Sequence, residues 1–131
     1  MLPDVKLTRC PDRHLVDPNT RACIAYVVAA LVSGRKGNGI YDYAQSRRIS
    51  ISGSVSSSKV RVYDYDRGCY FTGSPGRLYD YRRNAHLSLS INGNKFSGYD
   101  YADNCHFSGA VNGSSISIFD YGEARLSGYS V

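Results

Sequence analysis

A tripeptide recurs five times in the last two thirds of this chain: Tyr41-Asp42-Tyr43, Tyr63-Asp64-Tyr65, Tyr79-Asp80-Tyr81, Tyr99-Asp100-Tyr101 and, with Phe leading, Phe119-Asp120-Tyr121. Start-to-start spacings of 22, 16, 20 and 20 residues describe one supersecondary unit written several times. A short apolar-polar alternation follows each signature, as in Arg48-Ile49-Ser50-Ile51-Ser52 and His86-Leu87-Ser88-Leu89-Ser90-Ile91. Period two over such a run marks a half-buried strand. The first four runs are closed by turn signals: Ser56-Ser57-Ser58, Ser74-Pro75-Gly76, Asn92-Gly93 and Asn112-Gly113. Asn-Gly between alternating runs predicts type I′ hairpins, whose two central residues both need positive φ. The strand after each turn ends in the next signature.

The unit is thus two antiparallel strands, and residues 40–131 read as a meander of about ten. One such pair is not stable alone in water, so the copies must form a barrel-like or rolled sheet. The fold expected is mainly β, an antiparallel meander of repeated hairpins with one short N-terminal helix. Residues 1–39 form an N-terminal segment and residues 40–131 the repeat domain. The helix is placed at about 18–33, with Asp17 as cap and Pro18 at its first position, or with Asn19 or Thr20 capping one turn later. Ala22 to Val32 is apolar almost all round, and Gly34 supplies the stop. Those eleven residues are too few to span a bilayer, so no transmembrane segment is expected. They read as a buried helix that plugs or caps the repeat core, with an export signal as the competing reading. Location is therefore open between the cytoplasm, which is favoured, and export.

Side-chain parity divides the strands into two faces. In Val60 to Tyr65 the two valines share one face, and Arg61, Tyr63 and Tyr65 share the other. One face is aliphatic core and the other a lawn of Ser and Tyr. The signature Asp falls on the aliphatic parity. A buried carboxylate without partners is very costly, so core placement is not expected. Each Asp should instead accept backbone N–H groups in the following turn, an Asx closure repeated five times. The tyrosines should lie across serines of neighbouring strands, and they also offer a comb of rings spaced by about 10 Å, twice the strand separation.

Charge narrows the partners. Lys plus Arg number 16 and Asp plus Glu 11, a net charge of +5 without a dense basic run. Arg47-Arg48 and Arg82-Arg83 sit in turns, where solvated charge is the ordinary reading. Catalysis has little foothold. Glu123 is the only Glu, no nucleophile elbow is present, and His86 and His106 are repeat-equivalent, hence about 10 Å apart rather than co-ligands of one metal. His14 is a lone His in a polar loop. One carboxylate per unit is too sparse for calcium. No enzyme activity and no cofactor or metal are expected. Cys10 and Cys23 could form a local disulfide if the chain is exported, whereas Cys69 and Cys105 read as small buried thiols.

The repeats, together with the closing run Ser115 to Tyr121 and Tyr129-Ser130-Val131, resemble small uncharacterised bacterial proteins with tyrosine-rich β repeats. The resemblance covers most of residues 40–131 and implies a bacterial β-repeat protein; it carries no activity or site residue. The function expected from the residues is a non-catalytic binding or assembly module. It acts through its Ser/Tyr face on a carbohydrate, cell-envelope or protein ligand, with homo-oligomers through that face or an exposed edge strand as a further option. The candidate ligand-binding residues are Tyr63, Tyr65, Tyr79, Tyr81, Tyr99, Tyr101, Tyr121, Arg61, Arg82 and Arg83. The alternative is a nucleic-acid-binding module that sets Arg47, Arg48, Arg61, Arg82 and Arg83 beside the rings.

Overall fold

The computed structural model describes residues 18–35, 37–102, 104–121 and 124–131. Cys10, His14, Asp17 and Glu123, which carried expectations above, lie outside the described residues. One helix, α1 (Pro18–Ser33), precedes ten strands: β1 (Gly39–Asp42), β2 (Arg47–Val55), β3 (Val60–Asp64), β4 (Cys69–Ser74), β5 (Arg77–Asp80), β6 (Ala85–Asn92), β7 (Lys95–Asp100), β8 (Cys105–Asn112), β9 (Ser115–Asp120) and β10 (Arg125–Ser130). Each strand pairs antiparallel with its sequence neighbours, and β1 returns to β10 through Tyr41↔Ser130 and Asp42↔Tyr129. The meander therefore closes into a barrel. Closure leaves no open sheet edge among the described residues, so the expected self-association through an exposed edge strand has no structural basis.

The interior explains why the sheet closes. Ala22 to Ala29 of α1 are all 0–1 % exposed, so the helix has no solvated side and runs inside the barrel. It touches β1, β2, β3, β8 and β9, and it shares one hydrophobic cluster with inward residues such as Ile49, Val62, Phe71, Leu87, Phe107 and Ile118. A helix apolar all round needs a wall all round, and a curved meander supplies one. Inward glycines help the walls fit. Gly98 faces Phe107 and Gly109 faces Phe96 across the β7–β8 ladder, and a Cβ at either glycine would strike that ring and a neighbouring carbonyl. Outward positions carry Ser52, Thr72, Ser88, Ser97, Ser108 and Ser117, so the barrel is apolar inside and hydroxylated outside. No described helix is long and apolar enough to cross a membrane.

Three local expectations are corrected. Asn92 and Asn112 are the last residues of their strands, paired with Lys95 and Ser115, so the hairpin loops are Gly93-Asn94 and Gly113-Ser114. Only the glycines there have positive φ, at 65° and 63°. Positive φ at the first central residue alone is the type II′ pattern, not type I′. Cys23 is a free thiol deep in α1, so no Cys10–Cys23 bridge forms, while Cys105 is disulfide-bonded rather than a buried thiol. Cys69 is a free thiol, as expected, but it is only half-buried.

Candidate functional site

The five signatures end the odd-numbered strands, so closure gathers their aspartates into a ring at one end of the barrel. Asp42, Asp64, Asp80, Asp100 and Asp120 are all 0 % exposed, contrary to the expectation that a carboxylate would avoid the core. The Asx turns explain half of the compensation. The Oδ1 atoms accept from the backbone N–H groups of Ala44 (2.9 Å), Asp66 (2.9 Å), Arg82 (3.0 Å) and Ala102 (2.9 Å), as expected. The four residues Ser46, Asn84, Asn104 and Ala124, with Gly68, then take positive φ four positions after each Asp. That repeated left-handed step returns the chain into the next strand.

The other half comes from side chains brought in from elsewhere. Arg67 donates from Nε to Asp64 at 2.6 Å and from Nη1 to Asp80 at 3.0 Å, bridging two members of the ring. Arg83 donates to Asp100 at 2.6 Å, and Gln45 to Asp42 at 3.0 Å. The first turn of α1 supplies the rest: Asn19 donates to Asp64, Thr20 to Asp80 and Arg21 to Asp120. Carboxylates around a helix N-terminus also oppose the positive end of its dipole. Burial alone would weaken the hold of Arg67 on its proton, but Asp80 and Asp64 outweigh it and raise the guanidinium above its ordinary value. Tyr129, inside the barrel against Arg21 Nε at 3.2 Å, is pushed up to about 12 by burial. The Cys23 thiol is pushed up first by burial and then by Asp64. These groups seal the structure, and their oxygens are committed to donors.

On the outside of the same end lies a belt of rings. Each signature forms an edge-to-face pair: Tyr41–Tyr43, Tyr63–Tyr65, Tyr79–Tyr81, Tyr99–Tyr101 and Phe119–Tyr121, with centroids 4.8–4.9 Å apart. The first ring also meets a residue seven positions on, across the strand pair: Tyr63–Tyr70 at 4.8 Å, Tyr79–His86 at 4.8 Å and Tyr99–His106 at 4.7 Å. Second rings cross to serines of the preceding strand, Tyr43 to Ser130 and Tyr65 to Ser52. These are the expected tyrosine–serine contacts.

Closure changes what the rings can present. Five pairs on alternate strands of a ten-stranded barrel turn through a fifth of the circumference at each step, so they form a girdle and not a flat comb. Of the candidate residues, Tyr65, Tyr81, Tyr101 and Tyr121 are exposed, and Tyr63, Tyr79 and Tyr99 are half-buried beneath their neighbours. Arg61 is exposed over the Tyr70 ring at 4.5 Å, and Arg82 is exposed in its turn. Arg83 is corrected: its side chain is 14 % exposed and turned inward to Asp100, because the sealed carboxylate needs a cation. Arg47 is held by Asp66 at 2.6 Å.

The structure brings two of the candidates, Tyr101 and Arg83, together with residues that sequence reasoning left out. A cavity of about 720 Å³ lies over β5 and β6, with Arg77, Arg83, Asn84, His86, Ser88 and Tyr101 among its lining residues. His86, His106 and Tyr70 sat in the sequence at a constant seven-residue offset from the first ring of their signature, which was the signal available for them. Among the described residues no group of three or more His, Cys, Asp or Glu side chains gathers to hold a metal. In comparisons with known proteins, no family model matches this chain, and neither does any curated protein or solved structure.

Proposed function

We propose that this chain is a non-catalytic binding barrel that engages a carbohydrate through the Tyr/His/Ser face over β5 to β8. The observation that carries this reading is the cavity of about 720 Å³ where Tyr101, His86, Ser88 and Arg77 converge outside a rigid, helix-filled wall. Amphipathic rings with few rotatable bonds lose little entropy on contact, and hydroxyls beside them match a sugar's own donors and acceptors. The five signature carboxylates are fully buried and hydrogen-bonded, so they are poorly placed for acid–base chemistry on a ligand, which favours a binding role.

Tyrosine fluorescence tests it directly, since the chain has no Trp. Titration with a panel of soluble polysaccharides is expected to give saturable quenching that a Tyr99→Ser, Tyr101→Ser variant loses while keeping its far-UV CD. An unchanged signal across the panel would remove the carbohydrate reading.

A further inference from the structure

We infer that the ligand is an acidic polysaccharide, held by two repeated subsites in which Arg61 and Arg77 meet two separate carboxylates of the same chain. The inference rests on the carbohydrate reading above and adds the charge of the ligand and the residues that read it.

The first observation is a separation of charge that composition conceals. The chain carries +5 in total, yet the sealed end holds five aspartates against Arg21, Arg67 and Arg83. That end is −2, which leaves +7 for the remainder of the chain. Outside, Arg48, Lys59, Arg61, Arg77, Arg82 and Lys95 are exposed and pair with no carboxylate among the described residues. Asp66 is the one exposed acid among the described residues, and Arg47 holds it. Among the described residues the wall around the rings is therefore cationic, because the five signature acids face inside.

The second observation is register. Crossing the strands from β3, the outward residues in line are Arg61, Thr72, Tyr79 and His86. Crossing from β5, they are Arg77, Ser88, Tyr99 and His106. Each row runs cation, hydroxyl, Tyr, His, and each continues to an exposed ring, Tyr101 or Tyr121, whose N–H bonds to the carbonyl of that His at 3.1 Å. The second row repeats the first two strands further on and two residues along the strand, a displacement of roughly 12 Å. The two rows share the β5–β7 face and the cavity between them, so one ligand chain can lie across both.

Chemistry selects the ligand. Cations roughly 12 Å apart match a polymer with widely spaced charges, whereas duplex DNA presents a charge every ~1.7 Å. A guanidinium fork suits a planar carboxylate, and the Thr or Ser, Tyr and His beyond it offer hydroxyl and ring contacts to the sugar that bears it. Arg61 is already positioned by Tyr70 at 4.5 Å.

The test uses the full chain with polygalacturonate, alginate and hyaluronate, methyl-esterified polygalacturonate as a neutral counterpart, and an oligo-dT. Wild type is compared with Arg61→Ala, Arg77→Ala, and with a Tyr101→Ser variant; both alter exposed positions, and circular dichroism verifies their folding. At least one acidic glycan is expected to bind, with affinity that falls as salt rises. The double arginine variant should lose roughly tenfold or more and flatten the salt response. Equal binding of the esterified and acidic polymers would overturn the inference and leave the carbohydrate reading standing. No binding by any glycan would remove both. Tighter binding of oligo-dT than of every acidic glycan would overturn the inference in favour of nucleic acid, and full affinity in the arginine variant would overturn the assigned subsites.

Discussion

The inside and the outside of the same five signatures obey opposite rules. Outside, the ring pairs repeat with centroid distances of 4.8–4.9 Å at every copy. Inside, each Asp has a different set of partners: Gln45, Asn19 with Arg67, Thr20 with Arg67, Arg83, or Arg21. A single helix enters the barrel, and a helix cannot present the same side chain in five directions. Its first turn offers three different residues to a fivefold ring, and the turns must supply what it lacks. Water forgives variation outside, whereas a buried carboxylate demands a donor wherever it stands.

The largest break in this comparison is Arg67→Met, which strips the cation from two sealed carboxylates at once. We expect a loss of about 3–5 kcal/mol, read as a drop in urea midpoint, because an uncompensated charge stays buried. A companion triple change, Arg67→Met with Asp64→Asn and Asp80→Asn, should recover much of it; no recovery would show that Arg67 acts by packing rather than by charge.

Next in size is an alkaline effect confined to the interior. The Tyr129 hydroxyl has an ordinary value of 10 and is pushed up to about 12 by burial. Its folded value lies above its unfolded one, so the folded chain binds the proton more tightly. Its contribution is complete below pH 10 and is lost as pH rises through about 12, a total of about 2–3 kcal/mol. Stability measured at pH 9 and pH 11.5 should fall more steeply for wild type than for Tyr129→Phe; equal slopes would refute the assignment.

The outer belt should respond weakly to the same treatment. Tyr65→Ser removes an exposed ring with one edge-to-face contact and a long hydroxyl contact at 3.4 Å. A cost of about 0.5–1 kcal/mol is expected, and a value near that of Arg67→Met would mean that the belt, too, holds the barrel shut. Smallest is Ala124→Gly. Ala124 stands at φ 55°, where the other copies use Gly, Asn or Ser. Relief of left-handed strain should outweigh the added unfolded-state entropy and raise stability by up to about 1 kcal/mol. A fall in thermal midpoint would show that the Ala124 methyl is used in packing.

Much of the fold was legible because parity and turn chemistry are local. Val60 and Val62 on one face, Tyr63 and Tyr65 on the other, and an Asx turn after Asp64 all follow from neighbours in sequence. The buried aspartates were misjudged for a related reason: their parity pointed inward, but the donors that make burial affordable lie as far away as residue 19 for Asp64 and residue 21 for Asp120. Arg83 was misassigned in the same way, since nothing beside it in sequence shows that Asp100 would be sealed within reach.

By itself, then, the sequence determined a helix followed by a ten-strand antiparallel meander, which side of each strand is apolar, and where the rings fall, since side-chain alternation is a property of a single strand. Only the tertiary structure decided that the sheet closes around the helix, that the acids turn inward against Arg21, Arg67 and Arg83, and that the exterior is left cationic. Those outcomes depend on filling a volume and on satisfying buried charge across the barrel, which couple residues that local periodicity cannot relate.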